Sequence, residues 1–144
     1  MFEALLEAEV EFIVVGAHAL AVHGVPRATG DIDIFVRPTA ENAAKVIHAL
    51  DQFGAPVAAH GVTAEDFARP GTVYQLGLPP RRIDLLTAIS GVSFEEAWAD
   101  RVEAEAGRGV VVSFLGRGAL LRNKQAAGRD QDRVDARLLE AKKP

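Results

Sequence analysis

The sequence predicts one α+β domain in which a mixed β-sheet of about 4–5 strands is flanked by helices. Two observations predict this class. Short β-branched runs alternate along the chain with segments of helical periodicity. The length of 144 residues, with 49% hydrophobic and 25% charged residues, is typical of one globular domain. We therefore expect residues 1–144 to form a single domain.

Helices and strands alternate in the first part of the chain. The predicted elements are, in order, a helix in FEALLEAEV, a strand in EFIVV, a helix in AHALAVHG, a strand in DIDIFVR and a helix in AENAAKVIHALDQFG. Gly24 and Gly54 follow two of the helices as C-caps, and Thr39 is placed to cap the start of the third helix.

A hairpin and three further helices are predicted in the second part, where GVTAEDFARPG reads as a loop or a short helix. The elements are strands in TVYQLGL and RRIDLLTAI, a short helix in SFEEAW, a strand in VVVSFLG, and helices in RGALLRNKQAAG and RDQDRVDARLLEAKK. Val134, Leu138 and Leu139 form the predicted apolar stripe of the last helix.

Composition excludes several classes of protein. A net charge of -4 argues against a protein that coats nucleic acid through bulk positive charge. The absence of cysteine excludes disulfides and Cys-ligated zinc. The N-terminus lacks the basic start of a signal peptide, and the apolar stretch 12–22 is too short to span a bilayer. We expect a soluble, cytoplasmic protein that does not enter membranes.

Two aspartates stand one residue apart in the predicted strand DIDIFVR. Residues i and i+2 of a strand face the same side, so Asp31 and Asp33 project together. They are either the solvated face of an edge strand or carboxylates at the mouth of a cleft that bind a cation such as Mg²⁺. Phe35 on the same face favours the cleft, because an acidic and then apolar face indicates a strand that enters a core.

A third aspartate has similar surroundings. Asp84 stands among apolar residues in the predicted strand RRIDLLTAI. It is either a partner for Arg81 or Arg82 at a strand edge or a further metal ligand. Asp31, Asp33 and Asp84 all stand in predicted strands, and three such aspartates favour a metal site more strongly than any one of them does.

The turn after the first strand adds a second component. Gly16 lies between EFIVV and a predicted helix, where the backbone can approach a ligand closely. Amides at the start of a helix favour phosphate, although a plain turn is the other interpretation. Phosphate-binding amides beside paired carboxylates are typical of phosphoryl-transfer sites.

These residues resemble the signature of the polymerase-β-like nucleotidyltransferase superfamily. That signature is Gly followed by Gly or Ser, a short spacer, and two acids separated by an apolar residue. Here VVGA is followed by 13 residues and then DIDI. PRATGDID and NKQAAGRDQDRVD are similar to segments of minimal bacterial nucleotidyltransferases, several of which belong to toxin–antitoxin or abortive-infection systems. The resemblance covers residues 12–38, Asp84 and 119–139 and implies the nucleotidyltransferase fold.

The resemblance also implies roles for individual residues. Asp31 and Asp33 would hold two Mg²⁺ ions that bridge the enzyme and a nucleoside triphosphate. Asp84 would bind the second metal and help to deprotonate the acceptor hydroxyl. The implied nucleotide-binding positions are Gly16, Ala17, Arg27, Thr29 and Lys124. Arg27 otherwise belongs to a surface turn, Thr29 otherwise braces its loop, and Lys124 binds phosphate or is a structural cation.

The function implied by the resemblance is transfer of a nucleoside monophosphate from the triphosphate to a hydroxyl, with release of pyrophosphate. The acceptor is a protein, an RNA end or a small molecule. The alternative is a catalytically weak binding protein that forms one half of a two-protein system, with a small helical partner protein, or a homodimer. Ala17 stands where the family has Gly or Ser, which favours the alternative. The intact aspartate trio favours the enzyme.

Other polar residues fit structural roles. Asp132 and Asp135 are spaced i, i+3 near a predicted helix start. They are predicted to pair with Arg129 or Arg133 rather than to bind metal. His18 and His23 lack the i, i+4 spacing of a helical zinc pair and are predicted to be structural or to line the cleft.

Overall fold

A computed structural model describes residues 1–142 of the chain as an α+β structure with one mixed sheet. Its strands are β1 (Phe12–Val15), β2 (Ile32–Val36), β3 (Val73–Leu76), β4 (Ile83–Leu86), β5 (Val102–Glu105) and β6 (Val111–Phe114). Its helices are α1 (Phe2–Glu7), α2 (Gly16–Val22), α3 (Ala40–Phe53), α4 (Ala64–Phe67), α5 (Phe94–Asp100), α6 (Arg117–Ala127) and α7 (Asp130–Ala141).

The sheet has the strand order β3-β4-β2-β1-β6-β5. β2 lies inside it, antiparallel to β1 and parallel to β4. The three apolar residues at the end of β2 are fully buried, whereas Ile32 and Asp33 at its start are half-buried. β2 therefore begins at the half-buried end of the strand, where Asp33 lies, and runs from there into the core.

The structure has six strands within residues 1–142, so the prediction of about 4–5 strands is too low. The unpredicted strand is β5, which pairs only with β6 at the edge of the sheet. Its sequence VEAE alternates two small apolar residues with two exposed glutamates. Such a weak pattern gives little β propensity, and pairing with β6 stabilises the strand instead.

The last helix is present, but its predicted apolar stripe is wrong. The side chains of Val134 and Leu138 are 45% and 40% exposed, and Leu139 alone of the three is buried. The inward face of α7 instead carries Asp132, Asp135, Ala136 and Leu139. The predicted end at Lys143 lies outside the described residues. A helix whose buried face holds two carboxylates needs cationic partners nearby, since buried unpaired charges are costly.

Asn42 connects three segments around the end of β2 that is far from Asp33. This buried residue of α3 accepts a hydrogen bond from the Glu11 backbone N–H at 2.8 Å. Its Nδ2 donates to the carbonyls of Glu11 and Arg37 at 3.0 and 3.1 Å. One side chain thus satisfies backbone groups just before β1 and just after β2.

Replacement of Asn42 by alanine is expected to lower the free energy of unfolding by about 2–3 kcal/mol, because buried backbone groups lose their partners. Urea denaturation followed by circular dichroism measures this loss. Asn123→Ala is the matched control, since Asn123 donates only one side-chain hydrogen bond, to the Ser90 carbonyl. Equal losses in the two variants would contradict the role of Asn42.

None of the helices within residues 1–142 combines the length and the apolar character needed to cross a membrane.

Candidate functional site

Asp33 and Asp84 lie side by side on neighbouring strands. The two residues are register partners in the parallel pair β2 and β4, so their side chains leave the same face of the sheet. Asp84 is 8% exposed, and Asp33 is half-buried. Two carboxylates are therefore adjacent at the point where β2 enters the core.

The pKa of the Asp33 carboxyl is raised above its ordinary value. Burial is the larger cause, and the charge of Asp84 is the next. The charges of Arg82 and Lys124 act in the opposite direction without cancelling the shift. The ionised form of Asp33 is therefore disfavoured in this protein, and a bound cation would stabilise it.

Arg82 connects the other two members of the aspartate trio. Its backbone N–H donates to Asp31 Oδ1 at 2.9 Å, and its Nε donates to Asp84 Oδ1 at 3.0 Å. Asp31 lies immediately before β2, on the side that Asp33 shares. The structure thus brings the three predicted aspartates together in one group with Arg82, which we call the aspartate cluster. The sequence-based pairing of Asp84 with Arg82 is also present.

Gly16 lies against this cluster. Its neighbour Val15 is the register partner of Asp33, and Gly16 itself has a φ of +69°. A Cβ atom added at Gly16 would be 2.4 Å from Asp33 Oδ2. Only glycine satisfies both this backbone conformation and this close approach. Ala17 follows, half-buried, in the first turn of α2.

The predicted loop residues have defined partners. Thr29 Oγ1 accepts a hydrogen bond from the Asp31 backbone N–H at 3.0 Å, so Thr29 braces the loop before β2. Arg27, in the same loop, forms an ion pair with Asp135 of α7. The structure therefore places Thr29 next to the aspartate cluster and connects Arg27 to the last helix.

Lys124 belongs to a buried ion network. Its ammonium lies 3.3 Å from Asp132 Oδ1 and 3.2 Å from Asp135 Oδ2. The charge of the ammonium favours the ionised form of Asp33, although burial and the charge of Asp84 outweigh it and the pKa of that carboxyl stays raised. We call Arg27, Lys124, Arg129, Asp132 and Asp135 the ion network. It lies next to the aspartate cluster.

The predicted pairing of the α7 aspartates is correct for Asp132 and wrong for Asp135. Asp132 accepts a hydrogen bond from Arg129 Nε at 2.7 Å, and its pKa is lowered by its Arg129 and Lys124 partners, which outweigh burial. Asp135 binds Lys124 and Arg27 instead of either predicted arginine. Both aspartates are only 2% exposed, and both bind the buried Lys124, whereas the Arg129 partner of Asp132 is largely exposed at the start of the helix.

Two features of the site were missed by the sequence-based interpretation. The sequence predicts Arg82 only as a neutralising partner of Asp84, although the i, i+2 spacing of the two residues places both side chains on one face of the strand. The buried role of Asp135 also had a signal. Residues 132, 135, 136 and 139 follow helical spacing, and together they form the buried face of α7.

The structure gives His23 the structural role that the sequence predicts and places His18 in a cavity away from the cleft. His23 Nε2 is 2.8 Å from the Leu115 carbonyl oxygen. His18 lines a cavity of about 380 Å³ together with Ile32 and Phe114. Ile32 projects from the face of β2 opposite to Asp33, so this cavity lies across the sheet from the aspartate cluster.

The donor groups of the aspartate cluster fit a hard divalent cation. Asp33 and Asp84 offer adjacent carboxylate oxygens, which Mg²⁺ prefers, and their mutual repulsion remains in part uncompensated. Across residues 1–142, no group of three or more His, Asp or Glu side chains has the geometry of a complete metal site. Two protein carboxylates are still a usual set for Mg²⁺, which retains several water ligands.

Neither a protein-family model nor any curated protein matches this chain.

Proposed function

We propose that the chain is a Mg²⁺-dependent nucleotidyltransferase of the polymerase-β-like superfamily, with the corresponding fold. The observation that carries the proposal is the side-by-side register of Asp33 and Asp84 with Gly16 packed against Asp33. Two carboxylates next to a glycine turn supply metal ligands and a close backbone approach for phosphates. Both are needed for transfer of a phosphoryl group.

Asp33 and Asp84 would hold Mg²⁺, with Asp31 as a further carboxylate of the same cluster. When bound, Mg²⁺ neutralises phosphate oxygens and so lowers the barrier to displacement at phosphorus. The backbone at Gly16 and Ala17 would contact the phosphates. Ala17 offers only its amide, because it lacks the hydroxyl of a serine at that position.

The reaction itself is a displacement at the α-phosphorus of a nucleoside triphosphate. The acceptor hydroxyl oxygen bonds to this phosphorus, the bond to the leaving oxygen breaks, and pyrophosphate departs. The hydroxyl proton passes to the Asp84 carboxylate, which acts as general base. The parallel register of Asp84 with Asp33 supports this role, because a phosphate bound at Asp33 would lie near both carboxylates.

A second candidate is a nucleotidyltransferase-fold protein that acts by binding, as one half of a two-protein, toxin–antitoxin-type system. The observation in its favour is the hydrogen bond from Arg82 Nε to Asp84 Oδ1, because this guanidinium competes with a metal for the same oxygen. Lys124 and Arg27 also favour this candidate, because both are already paired with Asp135. A small helical protein or a second copy of the chain would then be the partner.

Binding and transfer together separate the two candidates. For the enzyme, we expect Mg²⁺ with a non-hydrolysable nucleoside triphosphate to raise the melting temperature by several degrees. A ligand at about 100 times its Kd adds about 2.7 kcal/mol to the free energy of unfolding. We also expect label from an α-³²P nucleoside triphosphate to enter an acceptor in a cell lysate. Nuclease and protease digestion then identifies the acceptor as RNA, protein or small molecule.

The Asp84→Asn variant is the control for both measurements, because it keeps the shape of the side chain and removes its charge. Stabilisation of the wild type without transfer of label would favour the binding protein. The absence of any Mg²⁺-linked stabilisation would exclude the enzyme.

A further inference from the structure

Asp135 connects two cations that come from distant parts of the chain. Its carboxylate binds Lys124 of α6 at 3.2 Å and Arg27 of the loop before β2. The side chain is 2% exposed, and these two cations balance its charge while Gln131 Nε2 donates a further hydrogen bond to its Oδ1 at 3.0 Å. A carboxylate buried to this degree without cations would be strongly destabilising. Asp135 therefore holds both cations in place, and it shares Lys124 with Asp132.

Lys124 retains capacity for a further ligand. An ammonium group has three N–H donors, and the two α7 carboxylates account for two of them. The remaining N–H is not used by either carboxylate, and it belongs to a residue that is 9% exposed. A phosphate bound next to Asp33 would therefore meet a donor that is fixed from behind by Asp132 and Asp135.

Arg27 fixes the loop that leads into the aspartate cluster. Within residues 23–31, Arg27 is held by Asp135, and Thr29 holds the Asp31 backbone N–H. The loop is thus attached to α7 at one point and to the start of β2 at another. Release of Arg27 would loosen the segment that carries Asp31 to the cluster.

We infer that Asp135 is a positioning residue for a triphosphate. From α7 it fixes the Lys124 ammonium and the Arg27 loop beside Asp33, so that the ligand meets an oriented cation and an ordered Asp31. This inference rests on the proposed function and adds a third element, the last helix, to the site.

The first test measures binding of Mg²⁺–tripolyphosphate by calorimetry, since this probe contains the part common to all nucleoside triphosphates. Asp135→Asn should weaken binding about 10-fold or more, as loss of an orienting partner commonly does. Asp130→Asn is the matched control, because Asp130 is a fully exposed acid of the same helix with only a 3.9 Å contact to Arg133. The control should bind like the wild type.

A second set of variants separates positioning from stability. In the Arg27→Gln/Lys124→Gln background, Asp135 is a buried charge without these partners, so Asp135→Asn should raise the melting temperature. It should leave the already weakened binding unchanged, because no cation remains for Asp135 to orient. A purely structural role predicts instead that affinity recovers together with stability.

A third measurement is independent of the ligand. Trypsin cleaves after Arg27, and cleavage of the 27–28 bond should be several-fold faster in Asp135→Asn than in Asp130→Asn. Unchanged cleavage, or a folded Asp135→Asn variant that binds tripolyphosphate within twofold of the wild type, would overturn the inference. A wild-type protein that binds no Mg²⁺–tripolyphosphate would overturn the proposed function and this inference with it.

Discussion

Replacement of Asp33 by asparagine is expected to reduce nucleotidyl transfer by about 10³-fold or more, while it stabilises the folded protein at neutral pH. The variant keeps the shape of the side chain and removes a carboxylate that would hold metal. It also removes the repulsion between Asp33 and Asp84, which are direct register partners. The gain in stability is about 1 kcal/mol or less, or roughly 3 °C in melting temperature.

The pH dependence of stability gives this prediction a second readout. The folded state raises the pKa of Asp33 from its ordinary 3.8, first by burial and then through Asp84. Between the ordinary and the raised pKa, the folded state binds more protons than the unfolded state. The contribution of Asp33 to stability is therefore most favourable at low pH and declines as pH rises through this window. Asp33→Asn should remove that decline.

Urea denaturation at several pH values above 3.8, with no metal present, measures the effect. Asp51→Asn is the control, since Asp51 is an exposed acid on α3 and gives the same change in net charge. A variant at Asp33 that still transfers labelled nucleotide at the wild-type rate would show that this carboxylate holds no catalytic metal. An unchanged pH profile would show that the folded state does not raise the pKa of Asp33.

Substitution of Gly16 by alanine is the second change with a large expected effect. The added Cβ would lie 2.4 Å from Asp33 Oδ2, and the φ of +69° is unfavourable for any residue with a side chain. We expect a loss of about 2–4 kcal/mol in the free energy of unfolding, from backbone strain plus the clash. Displacement of Asp33 should also abolish Mg²⁺-linked stabilisation.

The chain offers a close control for this substitution. Gly54 also has a positive φ, of 91°, but a Cβ added there would have no atom within 4 Å. Gly54→Ala should therefore cost only the backbone strain, about 1–2 kcal/mol. In an Asp33→Ala background, the cost of Gly16→Ala should fall toward that of Gly54→Ala. Equal costs for the two glycines in the wild-type background would contradict the close packing of Gly16 on Asp33.

The site residues that were predicted from the sequence belong to short, locally readable patterns. Alternation in DIDIFVR places Asp31 and Asp33 on one face whatever the rest of the chain does. The glycine after EFIVV likewise marks a turn by its own backbone freedom. Such local patterns locate the aspartate cluster on strands, although they do not give the register that aligns Asp33 with Asp84.

The ion network could not be predicted in the same way. Arg27, Lys124 and Asp135 meet only because α6 and α7 fold back beside the loop before β2. A hydrophobicity pattern assigns aspartates to the solvent side of a helix. It therefore predicts Val134 and Leu138 on the buried face of α7, in place of Asp132 and Asp135. The buried face of that helix was set by paired charges, which depend on tertiary contacts.

The edge strand β5 restricts how two copies of this chain could assemble. Glu103 and Glu105 are exposed on a strand that has a neighbour on one side only. If β5 paired edge to edge with its counterpart in a second copy, glutamates would face glutamates across the new ladder. Acidic edge strands of this kind protect sheets against open-ended aggregation. A homodimer of this chain should therefore not extend the sheet through β5, which leaves β3 as the other edge of the sheet.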